Sequence, residues 1–146
     1  MKKLSKFSAF LLGILFNVNC AISQNTVGLI LNNPSEAYNG YTIFSQIAST
    51  QTYLIDNEGY MIHSWSSSYS PAQAVMLLPD GSIMRTASIT SGSLFNAGGS
   101  GGRVEKIDWD GNLTWSFEYY NNDHCSHHDI DVLPNGHILL IAWERK

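Results

Sequence analysis

The turn sequence LIDNEG at residues 54–59 returns as KIDWDG at residues 106–111, and LLPDGSI at residues 77–83 returns as VLPNGHI at residues 132–138. Ile107 in the second copy corresponds to Ile55 in the first, and Pro134 corresponds to Pro79, so three residues are inserted between the two patterns in the second copy. Asp-Gly, Asn-Gly and Glu-Gly pairs of this kind mark tight turns between β-strands. The sequence therefore predicts an internal repeat of β-strands joined by tight turns.

The segments between these turns are typical of β-strands. From Gln24 onward they are short and rich in Val, Ile, Tyr, Phe and Trp, and no dozen residues keep the apolar period of a helix. A repeat of about 50 residues favours the four-stranded blade of a β-propeller, and closure needs roughly four to eight blades. The sequence thus predicts an all-β fold in which residues 24–146 form two blade-like repeats of a partial β-propeller, as a fragment of a longer one. A small propeller that assembles from several copies is the alternative.

The opening of the sequence, residues 1–23, predicts a signal peptide. Lys2, Lys3 and Lys6 precede an apolar stretch at residues 7–16 that is too short to span a bilayer, and AIS at residues 21–23 fits the small-x-small cleavage pattern. Cleavage there predicts export to the periplasm, the cell surface or the medium, without membrane insertion. Cys20 gives a lipoprotein alternative, although residues 17–19 lack the small and apolar side chains of a lipid-attachment site.

Composition and charge exclude several classes of protein. With 44% hydrophobic and 14% charged residues, the chain is expected to fold rather than to be disordered. The net charge is −4, and loss of the three lysines in residues 1–23 makes it −7. Such acidity argues against binding to nucleic acids or anionic membranes. After cleavage Cys125 is the one remaining cysteine, so no intramolecular disulfide is predicted.

A glycine-rich segment, SGSLFNAGGSGG at residues 91–102, lies between the two repeats. Glycines this dense predict a surface loop, because they have no side chains with which to build a core. A phosphate-binding loop is the alternative. No Gly-Lys-Ser or Gly-Lys-Thr follows the segment, so no nucleotide cofactor is predicted.

The side chains best suited to chemistry are concentrated in residues 121–129, NNDHCSHHD, which also contain the three-residue insertion. This segment holds His124, His127 and His128, three of the five histidines, together with the one cysteine of the mature chain. The matching stretch of the first repeat, PAQA at residues 71–74, has no ionisable group. The blade itself therefore does not require these groups, which makes them candidates for function.

Strand alternation makes a prediction about the orientation of the two adjacent histidines. In a strand over residues 127–133, His128 shares a face with Ile130, and His127 lies on the opposite face. In the innermost strand of a blade, one imidazole would point to the channel. Asp129 would then orient it through a hydrogen bond to a ring nitrogen.

Three interpretations of the cluster stay open at this point. Its histidines can be solvated side chains of a turn, since loops commonly carry them. One of them can instead be catalytic, as a nucleophile or a proton carrier. The third interpretation is a metal site with ligands from His124, Cys125, His127 or Asp129. Their spacing matches no standard zinc motif, so no metal is predicted.

Several segments of the chain together match the pattern of one protein family. They are TVGL at 26–29, YLIDN at 53–57 with HSW at 63–65, GRVEKIDWDG at 102–111, and HHDI at 127–130 with LPNG at 133–136. In this arrangement the chain resembles the N-terminal part of bacterial arylsulfotransferase-like propellers, which include secreted forms. The resemblance covers nearly all of residues 24–146. The LPNG turn is common to many propellers, whereas HHDI in this setting is more specific.

The resemblance implies a six-bladed propeller that moves a sulfuryl group from a phenolic sulfate to a phenol without a nucleotide donor. In that family a channel histidine attacks sulfur, and other histidines with an arginine bind the sulfate. The motif match implies that His128, and secondarily His127, are channel histidines, either as nucleophile or as sulfate binder. No motif assigns Arg85 or Arg103 to the sulfate site.

The resemblance also implies that the parent protein is an enzyme whose partners are aryl sulfates and phenols. Its remaining site residues would come from later blades, so the fragment alone is expected to be inactive. The competing prediction is a non-catalytic exported propeller that binds a carbohydrate or a protein at the cell surface.

Overall fold

The computed structural model describes residues 29–89, 99 and 101–146, and their regular structure is entirely β. The strands are β1 (Thr42–Ser45), β2 (Gln51–Ile55), β3 (Met61–Ser66), β4 (Pro71–Leu77), β5 (Ile83–Ser88), β6 (Gly102–Ile107), β7 (Leu113–Glu118), β8 (His124–Val132) and β9 (Ile138–Glu144). The all-β prediction is confirmed. Within the described ranges no helix is long and apolar enough to cross a membrane. The predicted signal peptide, residues 1–23, lies outside them.

The strands form three antiparallel sheets. Sheet 1 has the order β1-β2-β3, sheet 2 has the order β4-β5-β6-β7, and sheet 3 has the order β8-β9. β1 contacts β4, and β4 contacts β8, so the sheets follow one another side by side without closing into a ring. Each repeat of the sequence consists of the last two strands of one sheet and the first two strands of the next. The two predicted repeats therefore extend over three sheets.

The turns that define the repeat have the same hydrogen bonds in both copies. The carbonyl of Asp56 accepts from the N–H of Gly59 at 3.1 Å, and its Oδ1 accepts from the N–H of Tyr60 at 2.8 Å. Asp108 makes the same two contacts with the residues three and four positions later, at 3.1 and 2.7 Å. Gly59 and Gly111 have φ angles of 81° and 87°, a conformation that favours glycine. The sequence repeat is thus a repeat of backbone geometry.

β4 and β8 occupy equivalent positions, and both are bulged. The pairing of β4 with β5 shifts between Pro71 and Val75, and the pairing of β8 with β9 shifts between Ser126 and Ile130. When the two copies of the repeat are compared, β4 and β8 lie at the same distance before the turns that follow them, and β3 and β7 lie at the same distance after the turns that precede them. The three-residue insertion of the second copy therefore falls between β7 and the bulge of β8. The bulge residues are Ala72, Gln73 and Ala74 in β4, and His127, His128 and Asp129 in β8.

Two clusters of buried apolar side chains hold the sheets together. The cluster between sheets 1 and 2 is formed by Leu54, Trp65, Ile83 and Ile107. The cluster between sheets 2 and 3 is formed by Met84, Val104 and Ile130. Because Ile83 and Met84 are consecutive residues of β5, they point to opposite faces of sheet 2. Sheet 2 is therefore covered on both faces, with sheet 1 packed on one face and sheet 3 on the other.

Candidate functional site

The imidazoles of His127 and His128 lie together at the bulge of β8. Their ring centroids are 4.1 Å apart, and their Nδ1 atoms are in contact. Strand alternation predicts opposite faces for these two side chains, and this prediction is wrong because the bulge interrupts the alternation between Ser126 and Ile130. Beyond the bulge the alternation holds, since Ile130 is buried and Asp131 is exposed. The structure therefore brings together the two histidines that the sequence singles out.

A buried threonine fixes the backbone of this bulge. The hydroxyl of Thr86 in β5 donates to the carbonyl of His128 at 2.8 Å and accepts from the N–H of Ala74, in the bulge of β4, at 3.0 Å. Thr86 is only 1% exposed, so water does not compete for these bonds. One hydroxyl thus ties the two bulges together and sets the position of His128 relative to sheet 2.

The end of the glycine-rich segment packs against the histidine pair. The N–H of Gly101 donates to the carbonyl of Ser126 at 3.0 Å, and Gly101 is buried. A Cβ atom at Gly99 would lie 2.6 Å from Nε2 of His127 and 2.7 Å from Nδ1 of His128, so a side chain has no room there. This end of the predicted surface loop is therefore part of the packed structure. Its glycines allow the backbone to approach the two imidazoles closely.

A tryptophan borders the pair on the side of β9. The ring centroid of Trp143 lies 5.2 Å from that of His127, and Trp143 is 38% exposed. Asp129, which is predicted to orient an imidazole, accepts a hydrogen bond from the backbone N–H of Ile130 at 3.0 Å. Among the described residues its carboxylate has no hydrogen bond to either imidazole. In the described structure Trp143 is thus an aromatic contact of His127 that a ligand can also reach, whereas the carboxylate of Asp129 does not bond either imidazole.

The other ionisable side chains of the cluster have different surroundings. The ring of His124 stacks on that of Tyr119, with centroids 3.9 Å apart. Cys125 is buried, and burial raises the pKa of its thiol, which stays protonated at neutral pH. His137 lies exposed after the turn between β8 and β9. In the part of the chain that the structure describes, no three His, Cys, Asp or Glu side chains are grouped as metal ligands.

Arg85 and Arg103, which no motif assigns to the sulfate site, lie in a buried network between sheets 1 and 2. Nε of Arg103 donates to Oε1 of Glu105 at 2.8 Å, and Nη2 of Arg85 donates to the carbonyl of Tyr69 at 3.0 Å. Nε of Arg85 lies 3.9 Å from Oε2 of Glu105, which also accepts from the hydroxyl of Ser67 at 2.8 Å. Burial lowers the pKa of Arg85, and the charge of Glu105 opposes this shift. The guanidinium group of Arg103 is therefore held by the carboxylates of Glu105 and Glu118, whereas that of Arg85 is held by backbone carbonyls and lies near the charge of Glu105.

Sequence reasoning missed two residues that shape the site, Thr86 and Trp143. The repeat contains a signal for Trp143, because it stands where the first copy has Ser88 and so departs from the repeat as the histidines do. Thr86 carries no such signal, since its role depends on how sheets 2 and 3 pack. Differences between the two copies of the repeat thus point to Trp143 but not to Thr86.

The histidine pair can act on an anionic substrate in two ways. A neutral imidazole is a nucleophile near pH 7, whereas a protonated imidazole donates hydrogen bonds to an anionic oxygen. Two adjacent imidazoles can divide these roles between them. No protein-family model and no curated protein matches the chain at a significant level, so its function has to be inferred from this geometry and from the sequence motifs.

Proposed function

We propose that the chain is the N-terminal part of a secreted arylsulfotransferase-like protein, which transfers a sulfuryl group from a phenolic sulfate to a phenol through a histidine. The observation that carries the proposal is the paired imidazoles of His127 and His128, whose backbone is held by Thr86. The equivalent bulge of β4 is built from Ala, Gln and Ala, without an ionisable group. The fold does not require this pair of imidazoles, and a catalytic role is therefore its best explanation.

The side-by-side arrangement of the sheets fits successive blades of a propeller, and the family resemblance implies that the parent has six of them. β4 and β8 are edge strands of their sheets, and they contact each other. As innermost strands of successive blades they would line the central channel, with the β8 bulge at its wall. Sheets 1 and 3 would be two partial blades on either side of the complete sheet 2. The groups that complete the sulfate site would come from later blades.

The proposed transfer has two steps. A ring nitrogen of His128 or His127 attacks sulfur, the bond from sulfur to the aryl oxygen breaks, and the phenolate leaves with the electron pair. In the second step the proton of the acceptor phenol goes, through solvent, to the phenolate that left; the acceptor oxygen attacks sulfur, the bond from sulfur to the ring nitrogen breaks, and the imidazole is released with the new aryl sulfate. The second imidazole, when protonated, stabilises the negative oxygens on sulfur. The partly exposed ring of Trp143 offers a stacking surface for the aryl group.

The test measures the release of 4-nitrophenol from 4-nitrophenyl sulfate, with phenol as acceptor, in the full-length parent protein. His128→Ala keeps the strand and removes an imidazole, so transfer should fall by roughly a hundredfold or more. His137→Ala is the matched control, because His137 is exposed and lies outside the bulge; transfer should stay near the unmodified rate. The fragment alone should show no transfer. If the His128→Ala parent released 4-nitrophenol at the unmodified rate, the proposal would fail, and the exported binding propeller would stand in its place.

Export is part of the same proposal and is supported by the basic and apolar opening of the sequence. Mass spectrometry of secreted material should find a mature N-terminus at Gln24. A secreted protein that still begins at Met1 would contradict cleavage, and a protein retained in the cytoplasm would contradict export altogether.

A further inference from the structure

The ring nitrogens of the histidine pair have different surroundings. Nδ1 of His127 and Nδ1 of His128 are in contact with each other. Gly99 lies against Nε2 of His127, since a Cβ atom at Gly99 would be only 2.6 Å from that nitrogen. Within the described part of the chain, Nε2 of His128 has no hydrogen-bond partner. Nε2 of His128 is therefore the ring nitrogen that the protein leaves for a ligand.

The backbone around Gly99 and Gly101 forms a wall beside His127. Gly101 is buried, and its N–H donates to the carbonyl of Ser126 at 3.0 Å. A Cβ atom at Gly101 would lie 2.7 Å from the carbonyl oxygen of His127, so a side chain has no room there either. The ring of Trp143 also borders His127, with centroids 5.2 Å apart. The imidazole of His127 is thus enclosed by glycine backbone, by an indole ring and by His128.

The contact between the two Nδ1 atoms limits where the protons of the pair can lie. It is a hydrogen bond only if one Nδ1 carries a proton and the other does not. When His128 donates, its own Nε2 keeps a free lone pair, and neutral His127 carries its proton on Nε2. When His127 donates, the free lone pair lies instead on Nε2 of His127, which Gly99 covers. A nucleophile needs a lone pair on an accessible atom, so only the first arrangement provides one.

We propose that Nε2 of His128 is the atom that attacks sulfur, and that His127 is a positioning residue that accepts the hydrogen bond from Nδ1 of His128. This assignment rests on the proposed sulfuryl transfer and deepens it, because it distinguishes the two histidines and assigns the proton between them. Gly99 contributes by keeping Nε2 of His127 away from the substrate.

The proton between the two rings moves during the reaction. In the first step the bond from Nε2 of His128 to sulfur forms, the bond from sulfur to the aryl oxygen breaks, and the phenolate leaves with the electron pair. The proton on Nδ1 of His128 passes to Nδ1 of His127, which becomes the protonated imidazole beside the sulfuryl oxygens. In the second step the acceptor oxygen displaces Nε2 from sulfur, and the proton returns to Nδ1 of His128.

The positions of the protons can be measured without a substrate. The nitrogen chemical shifts of the imidazoles in the unmodified chain, at a pH at which both rings are neutral, should show a proton on Nδ1 of His128 and on Nε2 of His127. A proton on Nε2 of His128 would overturn the assignment. Sulfuryl transfer itself would not be affected by that result.

The roles of the two histidines can be separated in the full-length parent protein. With 4-nitrophenyl sulfate and no acceptor, the parent should release a burst of 4-nitrophenol as the sulfohistidine accumulates. His127→Asn keeps an acceptor near the former Nδ1 but cannot take up the proton, so the burst should persist with a rate constant lowered by about a hundredfold. His128→Asn is the matched variant and should give no burst. After an alkaline quench, mass spectrometry should find the sulfuryl group on His128.

Gly99→Ala tests the cover over His127, and Gly111→Ala is its matched control. Both glycines have a φ of 87°, so alanine brings the same backbone strain at each. At Gly111 no atom of the structure lies within 4 Å of the added Cβ, whereas at Gly99 the two imidazoles do. Gly99→Ala should shift the imidazole resonances and slow the burst by about tenfold or more. Gly111→Ala should change neither.

Several results would overturn the assignment while sulfuryl transfer still stood. They are a sulfuryl group found on His127, loss of the burst in His127→Asn, and equal burst rates in Gly99→Ala and Gly111→Ala. A parent that neither transferred the sulfuryl group nor formed a sulfohistidine would instead overturn the proposed function, and the assignment with it.

Discussion

The bulges of β4 and β8 share one backbone design and differ in every side chain. Both interrupt the pairing of a sheet's first strand with its second, at equivalent positions of the repeat, and both are bonded to the hydroxyl of Thr86. In β4 the bulge places Gln73 at a φ of 97°, the one positive φ among the described non-glycine residues. In β8 it places two imidazoles in contact. The comparison teaches that the repeat determines where the backbone bends, while the side chains at the bend diverge freely.

The pairing of β5 with β6 and the equivalent pairing of β1 with β2 provide another such contrast. Arg85 lies directly opposite Glu105 across β5 and β6, where sheet 1 has Phe44 opposite Tyr53. The aromatic rings are 5.6 Å apart, and the ionic pair belongs to the buried network with Arg103. One position in the repeat thus accepts either an aromatic pair or buried charges. Experiments can decide which features of each pair the fold requires.

Removal of the Glu105 carboxylate should have the largest effect on stability. Glu105→Ala leaves Arg85 and Arg103 buried without their shared counter-charge, which should lower the free energy of unfolding by about 3–5 kcal/mol. The double variant Arg85→Phe with Glu105→Tyr installs the pair of sheet 1 and should recover much of the loss, because Arg103 keeps its contact with Glu118. Urea unfolding of the three proteins measures both effects. An unchanged midpoint for Glu105→Ala would show that the network does not stabilise the interface.

Loss of the Thr86 hydroxyl should have the next largest effect. Thr86→Val leaves the N–H of Ala74 and the carbonyl of His128 without their shared partner, which should cost about 2–3 kcal/mol. The imidazole resonances of His127 should shift in the NMR spectrum, while those of His137 should not. Ser45→Ala is the control for these resonances, because Ser45 holds the equivalent position of β1 and its hydroxyl bonds Thr52 rather than the β8 bulge, so the His127 signals should stay unchanged. Unchanged His127 resonances in Thr86→Val would contradict the role of Thr86 in positioning the pair.

The third prediction concerns the backbone of the two bulges. Gln73→Gly should raise the free energy of unfolding by about 1 kcal/mol, because glycine adopts a φ of 97° without strain. His128→Gly at the equivalent position should lower it by about 0.5–1 kcal/mol, since no strain is relieved there and the unfolded chain gains freedom. Thermal unfolding of both variants measures the difference. A gain in both would mean that the two bulges share the same strain.

The smallest effect is expected at Cys125, which stands where the first repeat has Ser70. Cys125→Ser should change the free energy of unfolding by about 1 kcal/mol or less at pH 7, because a serine hydroxyl can keep the hydrogen bond that Sγ donates to the carbonyl of Ser126. Because burial raises the pKa of this thiol, its contribution to stability is complete below the pKa of the unfolded state, about 8.5, and is lost as the pH rises through the folded value. The unmodified chain should therefore lose stability relative to Cys125→Ser above about pH 8.5. Parallel stability curves for the two proteins across that range would exclude this linkage.

The turns and strands could be predicted from the sequence because their causes are local. Asp56 and Asp108 accept hydrogen bonds from residues three and four positions later, so a six-residue pattern specifies each turn. The meeting of His127 and His128 has no local cause. It depends on a bulge that no residue type in the sequence predicts, and on Thr86, which is distant from both histidines in the sequence. The two histidines could thus be identified from the sequence, but their convergence needed the packing of sheets 2 and 3.

Arg85 and Thr86 are consecutive residues of β5, and they bond in opposite directions. Nη1 of Arg85 donates to the carbonyl of Thr50, between β1 and β2, while the hydroxyl of Thr86 donates to the carbonyl of His128 in sheet 3. A single dipeptide thereby couples three sheets. Opening of either outer sheet breaks a hydrogen bond of this dipeptide, so the free energy needed to open one sheet depends on all three. The backbone amides of β5 should accordingly be the last to exchange with deuterium, and the three sheets should unfold in one cooperative transition.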